Sequence, residues 1–358
     1  MAYFNDKLLL ISDSHENIDV FRLLKGKITR YNFNYETQKQ YEKVIAKEVF
    51  LEYDGSIDEN DTIYIICQDK SFDLILILLK KNKDMEVVKL TEEPIPEVYY
   101  LNIILDNDKP HIFYFILTSK IEKKYRIYHH YFTGGEWITN KVDEIKVREL
   151  LNPLKIFRAD NEIILSYYNK IGDEQIYIKK FDLNKEKWEE KIRLTDDERN
   201  KLYLDFVVGK DKIHLTYCQY EEGNLVVKYE RYSYDNVLLR KEVEEKISNI
   251  ENPQDPTLIY YEDRLWIVWI EYENVMSRYS DDFGNTWSPI YLWKESKGKD
   301  IVRYKYNKLN NEGIILNYSF GKIDSDISFI GIGVLDNTIE IPLKKKAFQT
   351  IIKNIPRF

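Results

Sequence analysis

An all-β fold made of seven copies of one structural unit is what this sequence predicts, and three observations predict it. Short apolar runs recur along the chain, at residues 8–11, 63–66, 112–116, 163–165, 213–215, 265–269 and 314–316. Their first residues lie 55, 49, 51, 50, 52 and 49 positions apart, a period suited to one four-stranded sheet with its turns. Composition points the same way: 29 Tyr, 16 Phe and 6 Trp against only 13 Gly in 358 residues favour extended, pleated backbone over helix. Each run also reads as a strand covered on both faces. In 265–270, Leu265, Ile267 and Trp269 point one way and Trp266, Val268 and Ile270 the other, as sheets stacked face to face require.

The remaining strands of a unit follow in order. An apolar segment and polar turn precede each run, as in 203–212 and 257–264, and form strand one with its hairpin. A polar turn and a more amphipathic strand follow it, as in 176–181 and 225–232; these are third strands. A further turn closed by a large apolar residue leads to strand four, at 132–137, 181–188, 232–238 and 280–287. Pro96, Pro153, Pro253 and Pro256 stand where the next unit opens, because proline has no N–H for the ladder and marks strand starts. Repetition of such sheets predicts a single β-propeller domain over 1–358, with units at about 1–48, 49–96, 97–148, 149–198, 199–249, 250–297 and 298–343. Residues 344–358 are left as a closing strand or tail. Seven four-stranded blades are preferred and six are the alternative. The apolar 347–352 segment is expected to join the first blade and remove its open edges, although Phe348, Ile351 and Ile352 also fit helical spacing, as do Tyr41, Val44, Ile45 and Val49.

The turn at 280–287 has a particular chemistry. Ser280 and Asp282 can bond backbone N–H groups of their own turn, Gly284 permits positive φ, Thr286 restarts extended backbone and Trp287 brings a large surface to cover. This Ser-x-Asp-x-Gly-x-Thr-Trp pattern resembles the Asp-box (BNR) repeat of the sialidase (neuraminidase) superfamily. The resemblance implies a propeller, six-bladed in the sialidases, with the box closing the hairpin between third and fourth strands. It also implies an active centre with three arginines, a tyrosine–glutamate pair and an aspartate. That set is not found here. Arg22 lacks the following Ile-Pro and falls on a third strand, whereas Arg148, Arg199 and Arg303 stand at first-strand starts and Arg264 at the opposite end.

The formal charge of −8, from 61 acidic and 53 basic residues interspersed along the chain, gives no basic face for phosphate, so nucleic acid is not an expected partner. The apolar run at 8–11 is too short for a signal peptide or a membrane span, and a cytoplasmic location is the expectation. Cys67 and Cys218 sit in apolar runs and read as buried thiols. His129 and His130 are adjacent on a strand, point to opposite faces and cannot share a metal. No nucleotide fingerprint, metal site or cofactor is expected. Candidate ligand-binding residues are Glu221, Tyr220, Glu271 and Tyr272 at turns after second strands, Arg303, and Asp13 with His15 in a loop assigned to the same face; no catalytic set is assigned. The expected function is a non-catalytic module that binds a glycan or a protein. The alternatives are a glycoside hydrolase, exo-sialidase-like, working at the centre of the ring, and a structural head of a longer protein.

Overall fold

The computed structural model describes residues 7–37, 39–81, 83–234, 239–308, 313–323 and 327–344. Among them the only helix is a three-residue 3-10 turn at Lys294–Ser296, and none is long and apolar enough to cross a membrane. The strands form six hydrogen-bonded sheets. The second unit is typical: Val49–Ile57, Ile63–Asp69, Leu74–Leu79 and Glu86–Lys89 pair antiparallel in chain order. The third (Val98–Asp106, Lys109–Ser119, Lys124–Phe132, Trp137–Lys146) and the fifth (Lys201–Gly209, Lys212–Glu221, Asn224–Tyr234, Leu239–Lys246) repeat it. In the fourth (Leu154–Ala159, Glu162–Ile171, Asp173–Asp182) the last strand is split into Lys187–Trp188 and Ile192–Arg193. The sixth (Gln254–Tyr261, Arg264–Glu271, Asn274–Ser280, Ile290–Trp293) gains an outer strand, Thr338–Ile341, from the end of the chain.

The first and seventh units share one seven-stranded sheet. Val302–Lys308 runs parallel to Leu8–Ser12, with Leu8 opposite Tyr304 and Ser12 opposite Lys308. Tyr318–Ile323 and Ile327–Ile330 extend the sheet on one side, and Ile18–Leu24, Lys27–Phe33 and Gln40–Lys47 on the other. The two ends of the chain are thus joined by this parallel pair. Residues 347–352, expected to do so, lie outside the described residues.

Five of the seven apolar runs are second strands, in Ile63–Asp69, Lys109–Ser119, Glu162–Ile171, Lys212–Glu221 and Arg264–Glu271. The other two differ. The 8–11 run lies at the middle of the shared sheet, between Val302–Lys308 and Ile18–Leu24, as an innermost strand. The 314–316 run is no strand; Ile315 exchanges two backbone hydrogen bonds of 2.9 Å with Tyr260. Both runs are apolar although 8–11 is buried throughout and 314–316 only at Leu316, so composition could not distinguish an inner strand or a bridge from a second strand. The helical spacing of Tyr41, Val44 and Ile45 also resolves as strand Gln40–Lys47, because Lys27–Phe33 offers a full ladder for it and a bulge between Ile28 and Thr29 shifts its faces.

Burial explains the runs. Along Arg264–Glu271, Leu265, Ile267 and Trp269 enter a core shared with the fifth sheet (Leu202, Val207, Tyr229). Trp266, Val268 and Ile270 enter a second core with Leu316, Phe320 and Ile330. One strand therefore serves two interfaces, and burying each such large side chain contributes roughly 1.5–3 kcal/mol.

The turn at 280–287 joins the third and fourth strands of the sixth sheet. Asp282 accepts the N–H groups of Asn285 (3.1 Å) and Thr286 (2.8 Å) and the Thr286 hydroxyl (2.7 Å), while Ser280 Oγ accepts Gly284 N–H at 2.7 Å. Against the cost of burial, the hydrogen bonds from Thr286 hold the Asp282 carboxyl down at about 2. Gly284 sits at φ +81°, and a Cβ there would lie 1.9 Å from the Tyr229 hydroxyl, so glycine is required twice over. Trp287 packs edge-on against Tyr229 with centroids 4.9 Å apart. It is half-buried.

Candidate functional site

The innermost strands converge on an axis, and their local irregularities decide what faces it. Val98–Asp106, Lys201–Gly209 and Gln254–Tyr261 each slip register against their neighbour, at the stretches containing Tyr100, Tyr203 and Asp255. These three residues have φ of 52°, 55° and 49°, and Asn152, just before Leu154–Ala159, has 45°. They are equivalent positions of successive units. A bulge re-aims the side chain it carries, and Tyr100, Asn152 and Asp255 all turn into a cavity of about 230 Å³ at one end of the axis. Tyr53, Asp54, Asn102, Arg303, Lys305 and Tyr318 line the same space.

Below the mouth, charged groups tie the units together. Asp54 Oδ2 accepts the Ile103 N–H of the next unit at 2.8 Å and the Lys305 ammonium at 2.5 Å. Asp205 Oδ2 likewise accepts the Leu258 N–H of its neighbour at 2.8 Å. Burial disfavours the Lys305 cation, yet the Asp54 carboxylate beside it lifts its pKa above the ordinary lysine value. Lys155 is different. Its Nζ is 3.8 Å from Asp205 and 3.6 Å from the centre of the Tyr318 ring. Burial and the nearby Arg303 push Lys155 down to about 7, and burial raises the Asp205 carboxyl. That long contact holds two groups each drawn toward neutrality.

Arg303 also stacks on Tyr318, 4.3 Å from the ring centre. Its Nε and Nη2 donate to one acceptor, the Thr257 hydroxyl, at 3.2 and 3.1 Å. No carboxylate lies within ion-pair distance of it among the described residues. The cavity therefore presents a guanidinium with remaining donors and the carboxamide oxygens of Asn102 and Asn152, the Tyr53 and Tyr100 hydroxyls being bonded to the Phe21 and Leu150 carbonyls, an arrangement able to take an anionic group and hydroxyl donors.

Beside this cavity a wider groove of about 510 Å³ opens, lined by Gln254, Ile270, Tyr272, Glu273, Lys299 and Ile301 among others. Tyr272 is 68% exposed at its rim, its hydroxyl donating to Glu251 at 2.8 Å. Glu271 is buried, accepts Trp269 Nε1–H at 3.2 Å and has its carboxyl raised by burial.

Of the residues expected from the sequence, Arg303 lines the central cavity and Tyr272 the groove. Glu271 faces inward to Trp269. Tyr220 lies under the Arg148 guanidinium, 5.9 Å away, and Glu221 pairs with Lys246 at 3.2 Å; both stand outside the two spaces. Asp13 and His15 are at the opposite end of the ring, a correction that follows from Leu8–Ser12 being an innermost strand and so running away from the cavity. There they approach Asp61, in the turn between Val49–Ile57 and Ile63–Asp69, and the three ligating groups lie within 4.8 Å of one another. Their carboxylates are already engaged: Asp13 accepts N–H groups of His15 and Asn17 at 2.9 Å, and Asp61 accepts Ser14 N–H at 2.9 Å and its hydroxyl at 2.6 Å. The cluster ties two turns together.

Sequence reasoning missed Asp54, Tyr100, Asn102, Asn152, Asp255, Lys305 and Tyr318. One signal was available, since 100, 152, 203 and 255 keep the period of the units.

No protein-family model matches the chain, and no curated protein matches it in sequence. Solved structures do. Polysaccharide lyase Uly1 superposes with a TM-score of 0.59 at 9% identity, over 94% of this chain and 89% of that one. A six-bladed β-propeller, the fucose-recognising lectin of Aleuria aurantia, gives 0.46 at 12% identity over 80% and 94%. An α-L-arabinofuranosidase from Lactobacillus brevis gives 0.39 at 12% over 62% and 83%. At such identities likeness speaks of fold alone; the successive four-stranded sheets, with the first and last units joined by a parallel pair, are those of a β-propeller. None of these three is described as a sialidase.

Proposed function

We propose that this propeller binds carbohydrate at the mouth of its central axis, with an acidic sugar in the cavity, and does not cleave it. The observation that carries the reading is Arg303, a guanidinium in a cavity among Tyr53, Tyr100, Asn102 and Asn152 whose only side-chain acceptor among the described residues is the Thr257 hydroxyl. Such a group receives a carboxylate or sulfate through paired hydrogen bonds, while the carboxamide oxygens of Asn102 and Asn152 accept from hydroxyls. The volume is below the 300–1,000 Å³ typical of drug-sized ligands and suits one sugar unit. Hydrolysis by two carboxyl groups needs a free pair across the bond to be cut; here Asp54 is held by Lys305 and Asp255 by the Asn152 amide. The hydrogen-bonded 280–287 turn between third and fourth strands further supports kinship with Asp-box propellers.

The test is calorimetric titration with glucuronate and with uncharged glucose, alongside a panel of fluorogenic glycosides. Glucuronate binding that is lost in Arg303→Ala, without turnover on the panel, is the expected result. Equal binding of glucose and glucuronate, or hydrolysis abolished by Arg303→Ala, would replace the reading.

A further inference from the structure

We infer that the ligand is an oligosaccharide which continues from the central cavity into the lateral groove, its acidic unit at Arg303 and its neighbouring unit uncharged. This rests on the preceding reading of the central cavity and adds a second subsite to it.

The two spaces are neighbours through the backbone itself. Asp255 lines the cavity and Gln254 the groove; Arg303 lines the cavity and Ile301 the groove. Residues one or two positions apart in extended chain lie within roughly 7 Å of each other, so the two spaces stand side by side at this end of the ring. The groove holds more than twice the cavity's volume, 510 against 230 Å³, which leaves room for more than one further unit.

Its lining suits a sugar ring. Ile270 and Ile301, 6% and 4% exposed, form an apolar floor. Gln254, Glu273, Lys299 and Asp300 stand around it with exposed side chains that have no hydrogen-bond or ion-pair partner among the described residues. The Tyr272 ring stands at the rim, and its hydroxyl bond to Glu251 limits its rotamers. A pyranose has apolar C–H faces and a girdle of hydroxyls, and an aromatic face with surrounding acceptors meets both.

Charge selects the unit. Glu251, Glu273 and Asp300 set three carboxylates around the groove, against the ammonium groups of Lys299 and of Lys344, which pairs with Glu251. A second uronate here meets repulsion, whereas a neutral sugar donates its hydroxyls to those carboxylates. A glycan in which acidic and neutral units alternate fits both spaces; a homopolymer of uronate fits only the first.

Calorimetric titration of the full chain with glucuronate, a hyaluronan tetrasaccharide and tetragalacturonate tests this. The hyaluronan fragment should bind about tenfold or more tighter than glucuronate, and tetragalacturonate should gain at most about threefold. Tyr272→Ala should remove the gain and leave glucuronate binding unchanged, and Tyr272→Phe should keep most of it. A gain that survives Tyr272→Ala, or an equal gain for tetragalacturonate, overturns the inference. Glucuronate binding that depends on Arg303 but shows no gain with length sinks this inference alone. No binding of any of the three sinks the central-cavity reading and this one together.

Discussion

Two buried regions handle polar groups in opposite ways. Between the third and fourth sheets the polar groups are buried neutral. His111 Nδ1 and His129 Nε2 share one hydrogen bond of 2.9 Å, and His129 lies flat on Phe113, 4.4 Å between centroids, with Phe181 and Trp188 edge-on to it. Burial pushes His111 down to about 4 and His129 well below the ordinary histidine value. At the ring axis, beside the Lys155–Asp205 contact, charged groups are buried: Lys305 with Asp54, and Arg303 over Tyr318. Neutral imidazoles can serve as packing material, because aromatic neighbours cover them and desolvation removes the proton. Charges need partners. The difference teaches where function is to be sought, since the axis leaves Arg303 without a carboxylate among the described residues.

The largest expected effect comes from breaking the axis. Asp54→Ala leaves the Lys305 ammonium and the Ile103 N–H without their acceptor, and should cost about 3–5 kcal/mol in urea unfolding. Adding Lys305→Met should recover a large part of that loss. If Asp54→Ala costs less than about 1 kcal/mol, the axis is not held together by this pair.

Next comes acid. His111 has a folded value of about 4 and an unfolded one of about 6.5, so the unfolded chain binds more protons between them. Stability is then fully present above pH 6.5 and falls as pH drops toward 4, by about 3 kcal/mol for this group. His130, also pushed down to about 4 by burial, acts in the same direction. Urea midpoints measured from pH 7 to pH 4 should decline, and His111→Phe should flatten the slope. A midpoint constant over that range would show that the imidazoles accept protons in the folded state.

The smallest effect on stability is expected where the effect on binding is largest. Arg303→Ala loses two bonds to one hydroxyl and a stack on Tyr318, which together amount to about 1 kcal/mol. Thermal melting should barely move while glucuronate binding disappears. A loss near that of Asp54→Ala would make Arg303 part of the scaffold.

Much of the fold was legible because burial on two faces writes itself into composition. Runs such as 265–270 must be apolar at every position to serve two cores, and their spacing counts the units. The 280–287 turn was legible for a local reason: its hydrogen bonds join residues no more than four positions apart. The site was less so. Arg303 and Tyr272 could be picked as polar residues at strand ends, but Glu271 was placed in the open and turned out to face Trp269. Alternation of strand faces continues to the end of the strand and sets Glu271 on the same side as Trp269, two positions before it.

Sequence by itself determined the sheet-forming segments, the approximate period and the chemistry of one turn, because these depend on contacts within a unit or on burial of whole strands. Tertiary structure alone decided how the ends meet. The parallel pairing of Leu8–Ser12 with Val302–Lys308 joins segments nearly three hundred residues apart, and it reversed the direction assigned to the first strand, carrying Asp13 and His15 to the far end. It also decided the site. Tyr100, Asn152 and Asp255 face the axis through positive φ angles and register slips, backbone conformations that ordinary side chains adopt only when surrounding packing enforces them.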